Sequence, residues 1–147
     1  MLKAEDFFTK EEKDKIVDAI IAAEKNTSGE IRVHLENHIN GELLDRAAFL
    51  FKKLRMHNTQ QRNGVLFYLA VADKKFAILG DAGINAVTPD NFWDSIKENM
   101  LSFFKNEKFT DGLVSGINMA GEALKKYFPY KNDDINELSD EISFGKK

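Results

Sequence analysis

Apolar residues recur at helical spacing after Thr9-Lys10-Glu11-Glu12: Ile16, Val17, Ile20, Ile21 and Ala23 share one side, and Lys13, Asp14, Asp18 and Lys25 the other. This predicts a helix over residues 10–25, opened by a capping box in which Thr9 and Glu12 satisfy each other's backbone amides. Asn26-Thr27-Ser28-Gly29 ends it. From Glu30 the period changes to two, with Ile31, Val33 and Leu35 alternating with Glu30, Arg32, His34 and Glu36, as in a strand with one buried face. After Gly41, the positions Leu43, Leu44, Ala47, Ala48, Leu50, Phe51 and Leu54 form an amphipathic helix that ends near Met56. A polar loop, His57 to Gly64, leads to Val65-Leu66-Phe67-Tyr68-Leu69-Ala70-Val71, apolar throughout and bounded by turn residues, which reads as a central strand.

Strand, helix, strand implies a right-handed crossover and a parallel pair. The turn composition of Ala72-Asp73-Lys74-Lys75 then joins the central strand to Phe76-Ala77-Ile78-Leu79 as an antiparallel hairpin, ended by Gly80-Asp81-Ala82-Gly83. Thr88-Pro89-Asp90 combines an N-cap, a proline suited to the first turn and an acidic residue at the positive end of the dipole, so a third helix is expected from there to about Lys105. Thr110-Asp111-Gly112 caps a fourth, through Leu113, Ile117, Ala120, Leu124 and Phe128, closed by Pro129. The whole is an α/β arrangement with a small mixed sheet, a single domain over residues 1–130, followed by an acidic tail or loose helix over 131–147.

Composition narrows the function classes. The 147 residues carry 21 Lys+Arg against 24 Asp+Glu, a net charge of −3, which disfavours broad nucleic-acid binding. With no cysteine there is no thiolate nucleophile, Cys-ligated zinc or iron–sulfur cluster. The N-terminal residues have neither the apolar stretch nor the cleavage site of a signal peptide, and the longest apolar run is far shorter than the ~20 residues that cross a bilayer. The expectation is a cytoplasmic protein with no membrane insertion, and a monomer, since no heptad seam or long exposed apolar strand is evident.

Neither GxGxxG nor GxxxxGK[ST] occurs, and no serine lies in a GxSxG elbow. His34 and His38 fall on a strand and the loop after it, outside helical zinc-ligand spacing. Topology is more informative. The starts of the two parallel strands, Ser28-Gly29-Glu30 and Arg62-Asn63-Gly64, meet the end of the third, Gly80-Asp81-Ala82-Gly83, at one sheet end. Asp111 joins them if the fourth helix docks its N-terminus there, and Asp90 is a further candidate. Such carboxylates with loop carbonyls suit calcium or magnesium, which take oxygen ligands. The competing explanation is that Glu30 pairs with Arg32 or Arg62, and that Asp90 and Asp111 only cap helices.

These same residues resemble the TPM domain family, named for thylakoid-lumen phosphatase-like, photosystem II repair and acetylcholine-receptor-modulating members. The likeness rests on Ser28-Gly29-Glu30-Ile31, Asn63-Gly64-Val65-Leu66, Leu79-Gly80-Asp81-Ala82-Gly83-Ile84, Pro89-Asp90 and Phe109-Thr110-Asp111-Gly112-Leu113, in that order. It implies a three-layer α/β/α sandwich, with helices on both faces of a small mixed sheet. It also implies divalent-cation binding through Glu30, Asp81, Asp90 and Asp111. The signal peptide, transmembrane segment and glycine-rich tail of many members have no counterpart here, so this is expected to be a stand-alone member of bacterial type.

Two function classes follow. In the first, calcium or magnesium orders the segments 80–87 and 106–112 of a protein-interaction module, whose surface Phe103, Phe104 and Phe109 would line if they were not simply core residues. In the second, the domain is a metal-dependent acid phosphatase acting on phosphomonoesters, with Arg62 clamping the phosphate. Arg62 separates them: hydrolysis needs its charge, whereas cation binding is weakened by it.

Overall fold

The computed structural model describes residues 3–129 and 142–145. The chain forms α1 (Ala4–Phe7), α2 (Lys10–Glu24), β1 (Glu30–Glu36), α3 (Leu43–Lys53), a 3-10 turn (Met56–Asn58), β2 (Gly64–Ala70), β3 (Lys75–Gly80), α4 (Ala82–Val87), α5 (Phe92–Phe104), α6 (Phe109–Tyr127) and β4 (Ser143–Phe144). Among these residues the strands make one sheet of order β3-β2-β1-β4. β1 and β2 are parallel, with Glu30 opposite Gly64, and β2 and β3 antiparallel, with Val65 opposite Gly80.

Alternation along the strands sorts two cores. Ile31, Val33, Leu35, Val65, Phe67 and Leu69 pack with α2, α5 and α6, while Leu66, Tyr68, Ala70 and Ala77 pack with α3 on the opposite face. This is the three-layer sandwich. β2 is buried on both sides, which is why its sequence is apolar without alternation. The α2 capping box forms as expected, with Thr9 Oγ1 accepting from the Glu12 amide at 3.1 Å and Glu12 Oε1 from the Thr9 amide at 2.9 Å.

The sequence reading needs correction at several boundaries. Gly80-Asp81-Ala82-Gly83 is no simple strand stop: Asp81 caps α4, a six-residue helix without enough periodicity to be seen. The third helix begins at Phe92 behind Asn91, not at Thr88. Thr88 instead closes α4, its hydroxyl donating to the Ile84 carbonyl at 3.0 Å. α6 begins at Phe109. Thr110 turns back to α2, donating to Glu12 Oε2 at 2.7 Å. Ser143 and Phe144, read as part of a tail, pair in parallel with His34 and Leu35, while the reading of 130–141 as acidic tail or loose helix lies outside the described residues. Phe104 and Phe109 pack against the main core.

Candidate functional site

The starts of β1 and β2 and the end of β3 do share one sheet end. Glu30 lies opposite Gly64, whose carbonyl accepts from the Asp81 amide at 2.9 Å, so the two acidic residues flank one glycine. Both are buried, at 3% and 4% exposure, where a carboxylate persists only with compensation. For Asp81 that compensation is explicit. Arg62 donates from Nε to Oδ2 at 2.6 Å and from Nη2 to Oδ1 at 2.8 Å, a bidentate fork, and the Ala82 amide donates to Oδ1 at 2.8 Å. His57 Nδ1 lies 3.1 Å from the same Oδ1 and 2.9 Å from Arg62 Nη2; a single ring nitrogen serves only one of these at a time, as donor or as acceptor.

Burial pushes the Asp81 carboxyl up, but the Arg62 fork and the Ala82 amide outweigh it and hold it below the usual carboxylate range. Asp81 is therefore an anion, itself buried and covered by an Arg62 side chain that is about half exposed, at 47%.

The loop before β2 aims these groups. Arg62 adopts a left-handed backbone, φ 51°, held by its amide donating to the Thr59 carbonyl at 3.2 Å, while the Asn63 amide donates to Thr59 Oγ1 at 3.1 Å. Gly83 presses on this loop: a Cβ there would stand 2.6 Å from the Arg62 carbonyl oxygen, and the glycine amide donates to that oxygen at 2.7 Å. Ser28 Oγ accepts from Gln61 Nε2 at 2.9 Å and Asn63 Nδ2 at 3.2 Å. The other Asn63 side-chain atom, Oδ1, is buried and accepts no hydrogen bond among the described residues.

The remaining two candidates are elsewhere. Asp90 is exposed in the turn between α4 and α5. Asp111 is exposed in the first turn of α6, and α6 docks with the opposite polarity to the one that would bring it in. Its C-terminal end meets the start of β1, where Thr27 Oγ1 donates to the Leu124 and Phe128 carbonyls. Its N-terminal end lies at the far end of the sheet, where Phe109 packs on Phe104 and Phe104 on Phe76. A seven-residue strand is roughly 20 Å long, so Asp111 and Glu30 are separated by about the length of the sheet.

Calcium and magnesium demand several oxygen ligands. The Asp81 carboxylate, the Glu30 carboxylate and the Asn63 amide oxygen are the right kind of donor, yet among the described residues no three His, Asp or Glu side chains converge on a common point. In the folded arrangement, both oxygens of Asp81 accept from the Arg62 guanidinium. Arg62 is expected at this sheet end, but as a partner of Glu30 or of a phosphate, and His57 is not expected there; the antiparallel β2-β3 pairing, with Val65 opposite Gly80, brings the segment before β2 to Asp81.

A second polar centre lies at the other end of β1. Glu36 receives Arg46 Nε at 3.0 Å, Arg46 Nη2 at 2.5 Å and the Tyr68 hydroxyl at 2.7 Å. Burial raises the Glu36 carboxyl, but these donors override it and bring it down to about 2. Burial and the hydrogen bond to Glu36 push Tyr68 well above the ordinary tyrosine value.

Among the described residues, no helix is long and apolar enough to cross a membrane. The family model described as TPM domain matches residues 2–123. Among solved structures, the BA42 protein from the psychrophilic bacterium Bizionia argentinensis is 55% identical, covering 99% of this chain and 100% of that one, with a TM-score of 0.90. Two more distant N-terminal domains share the fold. One, from P. gingivalis, is 16% identical with a TM-score of 0.69, covering 85% of this chain and 83% of its own. The other, of the cg2496 protein from Corynebacterium glutamicum, is 11% identical with a TM-score of 0.66, covering 89% and 82%. No curated protein matches. A family match over most of the chain, together with a 55% identical structure of the same fold, establishes that the chain belongs to the TPM domain family.

Proposed function

We propose that this TPM domain is a divalent-cation-responsive interaction module, in which calcium or magnesium takes the place of the Arg62 guanidinium on Asp81. The observation that carries the reading is the exchangeable cover. Asp81 is a buried anion, at 4% exposure, covered by the Arg62 guanidinium, a side chain about half in water. Asn63 Oδ1 adds a buried acceptor, and Glu30 a second buried carboxylate on the other side of Gly64. Asp90, exposed just beyond α4, is a peripheral donor; Asp111 has no part at this end.

The link to a protein partner is mechanical. Asp81 is the N-cap of α4, so the ligation state of its carboxylate decides how the first turn of that helix is held. α4 presents Val87, 43% exposed, to solvent, and its start is locked against the 61–62 loop through Gly83. A cation at Asp81 would thus be reported at the surface by α4 and the Arg62 side chain it releases.

Calorimetric titration of the metal-stripped protein with calcium and with magnesium tests this. Arg62→Ala removes the competing charge and should tighten cation binding severalfold, and the rise in Tm on adding calcium should be larger than in the parent protein. Asp81→Asn should abolish binding, and Asp90→Asn should weaken it modestly. Weaker binding in Arg62→Ala, or undiminished binding in Asp81→Asn, would overturn the reading.

A second reading, phosphomonoester hydrolysis, draws on the adjacent and partly exposed Arg62 and His57, which could meet a phosphate dianion. It predicts the opposite response: Arg62→Ala loses turnover of p-nitrophenyl phosphate in the metal-loaded protein.

A further inference from the structure

The chain contains two asparagine-glycine pairs, Asn40-Gly41 and Asn63-Gly64, and the fold treats them in opposite ways. An asparagine followed by glycine can close on its own main chain. The glycine nitrogen is the nucleophile and the asparagine Cγ the electrophile, and a residue without Cβ leaves the approach between them open. Closure needs water at the site, a glycine N–H not held in a hydrogen bond, and an asparagine side chain free to turn.

Asn63-Gly64 is closed to this reaction. Asn63 is 1% exposed, its Nδ2 donates to Ser28 Oγ at 3.2 Å and its own amide donates to Thr59 Oγ1 at 3.1 Å. Gly64 opens β2 in register with Glu30, and a Cβ added to it would stand 2.9 Å from the Met56 carbonyl oxygen. Asn40-Gly41 meets all three conditions. Both residues are exposed in the bend between β1 and α3. Among the described residues, neither the Gly41 amide nor the Asn40 side chain makes a hydrogen bond. Gly41 has a φ of 99°, and beyond its chain neighbours nothing lies within 4 Å of where a Cβ would stand, so ring closure displaces no contact.

From this we infer that Asn40-Gly41 is a site of spontaneous covalent modification, at which the folded chain passes through a succinimide to an isoaspartyl form with a loosened start of α3. In the first step hydroxide takes the Gly41 amide proton and the nitrogen attacks Asn40 Cγ, forming a C–N bond. The bond from Cγ to the side-chain nitrogen breaks, and that nitrogen takes a proton from water and leaves as ammonia. In the second step water opens the ring. Cleavage between Cγ and the nitrogen gives an aspartyl residue; cleavage at the main-chain carbonyl carbon gives an isoaspartyl residue, with the chain running through Cγ and a free carboxylate on the main-chain carbon.

The isoaspartyl linkage lengthens the backbone by one carbon, about 1.5 Å, just ahead of Glu42. Glu42 is the N-cap of α3: its Oε2 accepts from the Asp45 amide and its carbonyl from the Arg46 amide, both at 2.9 Å. Slack in the segment that orients Glu42 weakens both bonds, at the end of the helix that covers one face of the sheet. The inference is independent of cation binding at Asp81.

The test incubates the full chain in mildly alkaline buffer, folded and in urea, and follows both pairs by peptide mapping with mass spectrometry that separates aspartyl from isoaspartyl products. In the folded chain the Asn40 peptide should gain the mass of an amide-to-acid exchange, mainly as isoaspartyl and at a rate proportional to hydroxide. The Asn63 peptide should convert at least about tenfold more slowly, and in urea the two rates should become similar. Asn40→Gln, which would have to close a larger ring, should remain unconverted. Aged parent protein should exchange its Asp45 and Arg46 amides faster than fresh protein, and aged Asn40→Gln should not. No conversion of Asn40 in the folded chain, equal conversion of the two pairs there, product without isoaspartyl, or unchanged exchange at Asp45 and Arg46 once isoaspartyl has accumulated would each overturn the inference.

Discussion

Replacing Glu36 by glutamine should flatten part of the acid limb of the stability curve. Glu36 is 6% exposed and is held by Arg46 and Tyr68, which bring its carboxyl from an ordinary value of 4.5 down to about 2. A folded-state value below the unfolded one means that the unfolded chain binds the proton first. The ion pair's contribution is therefore complete above pH 4.5 and is lost as the pH falls through 4.5 toward 2. A depression of that size corresponds to about 3 kcal/mol. Truncating the charge also leaves the Arg46 guanidinium beside an amide, a loss of similar order for a partly buried pair. Urea unfolding followed by far-UV circular dichroism, at a series of pH values, should find the parent protein more stable than Glu36→Gln by about 3 kcal/mol at pH 7, with the gap closing almost completely near pH 2. Asp81 and Glu12, whose carboxyls are also lowered, titrate in both proteins and cancel in the difference. His34 is depressed too, mainly by burial, while Glu36 raises it, so Glu36→Gln should lower it further and the Glu36 signal is read as the closing of the gap below pH 4.5. A gap that stays constant between pH 7 and pH 2 would refute the reasoning, because Glu36 would then act through packing and not through its charge.

Other expected outcomes follow from single contacts. Gly83→Ala would drive a Cβ against the backbone carbonyls of Gln61 and Arg62, atoms that cannot rotate away, and should cost at least about 2 kcal/mol in chemical unfolding while disturbing the amide resonances of residues 60–63. Thr27→Val removes a buried hydroxyl that donates to the Leu124 and Phe128 carbonyls and accepts from the Gly29 amide at 3.1 Å; a loss of about 1–3 kcal/mol is expected, seen as a lower Tm by calorimetry. Thr9→Ala dismantles the α2 capping box and should cost about 1 kcal/mol, with hydrogen exchange accelerated in the first turn of that helix.

The elements that periodicity reveals are those with a long amphipathic repeat: α2, α3 and α6 each keep one face in a core, and the β1 alternation places Ile31, Val33 and Leu35 against α2 and α6. The crossover and hairpin follow from element order, and they alone place Glu30, Asn63 and Asp81 at one sheet end. Short elements were invisible for the same reason. α4 has six residues and β4 two, too few for a period to emerge, and β4 is fixed by pairing with His34 and Leu35 more than 100 residues earlier. The Thr88-Pro89-Asp90 signal was sound chemistry at the wrong place, since Thr88 serves the C-terminus of α4 in preference to the start of α5. Helix polarity was equally hidden. Nothing in the amphipathic pattern of α6 says which end meets β1, and that choice alone separates Asp111 from Asp81.

Residue-resolved amide NMR of metal-stripped protein titrated with calcium tests the central claim most directly. The account predicts saturable shifts confined to Ser28–Glu30, His57–Gly64 and Asp81–Val87, larger in Arg62→Ala than in the parent protein, with Asp111 unmoved. Shifts centred on Asp111, shifts spread along the acidic residues 133–141, or none at all would contradict it and leave Arg62 and Asp81 as a purely structural pair.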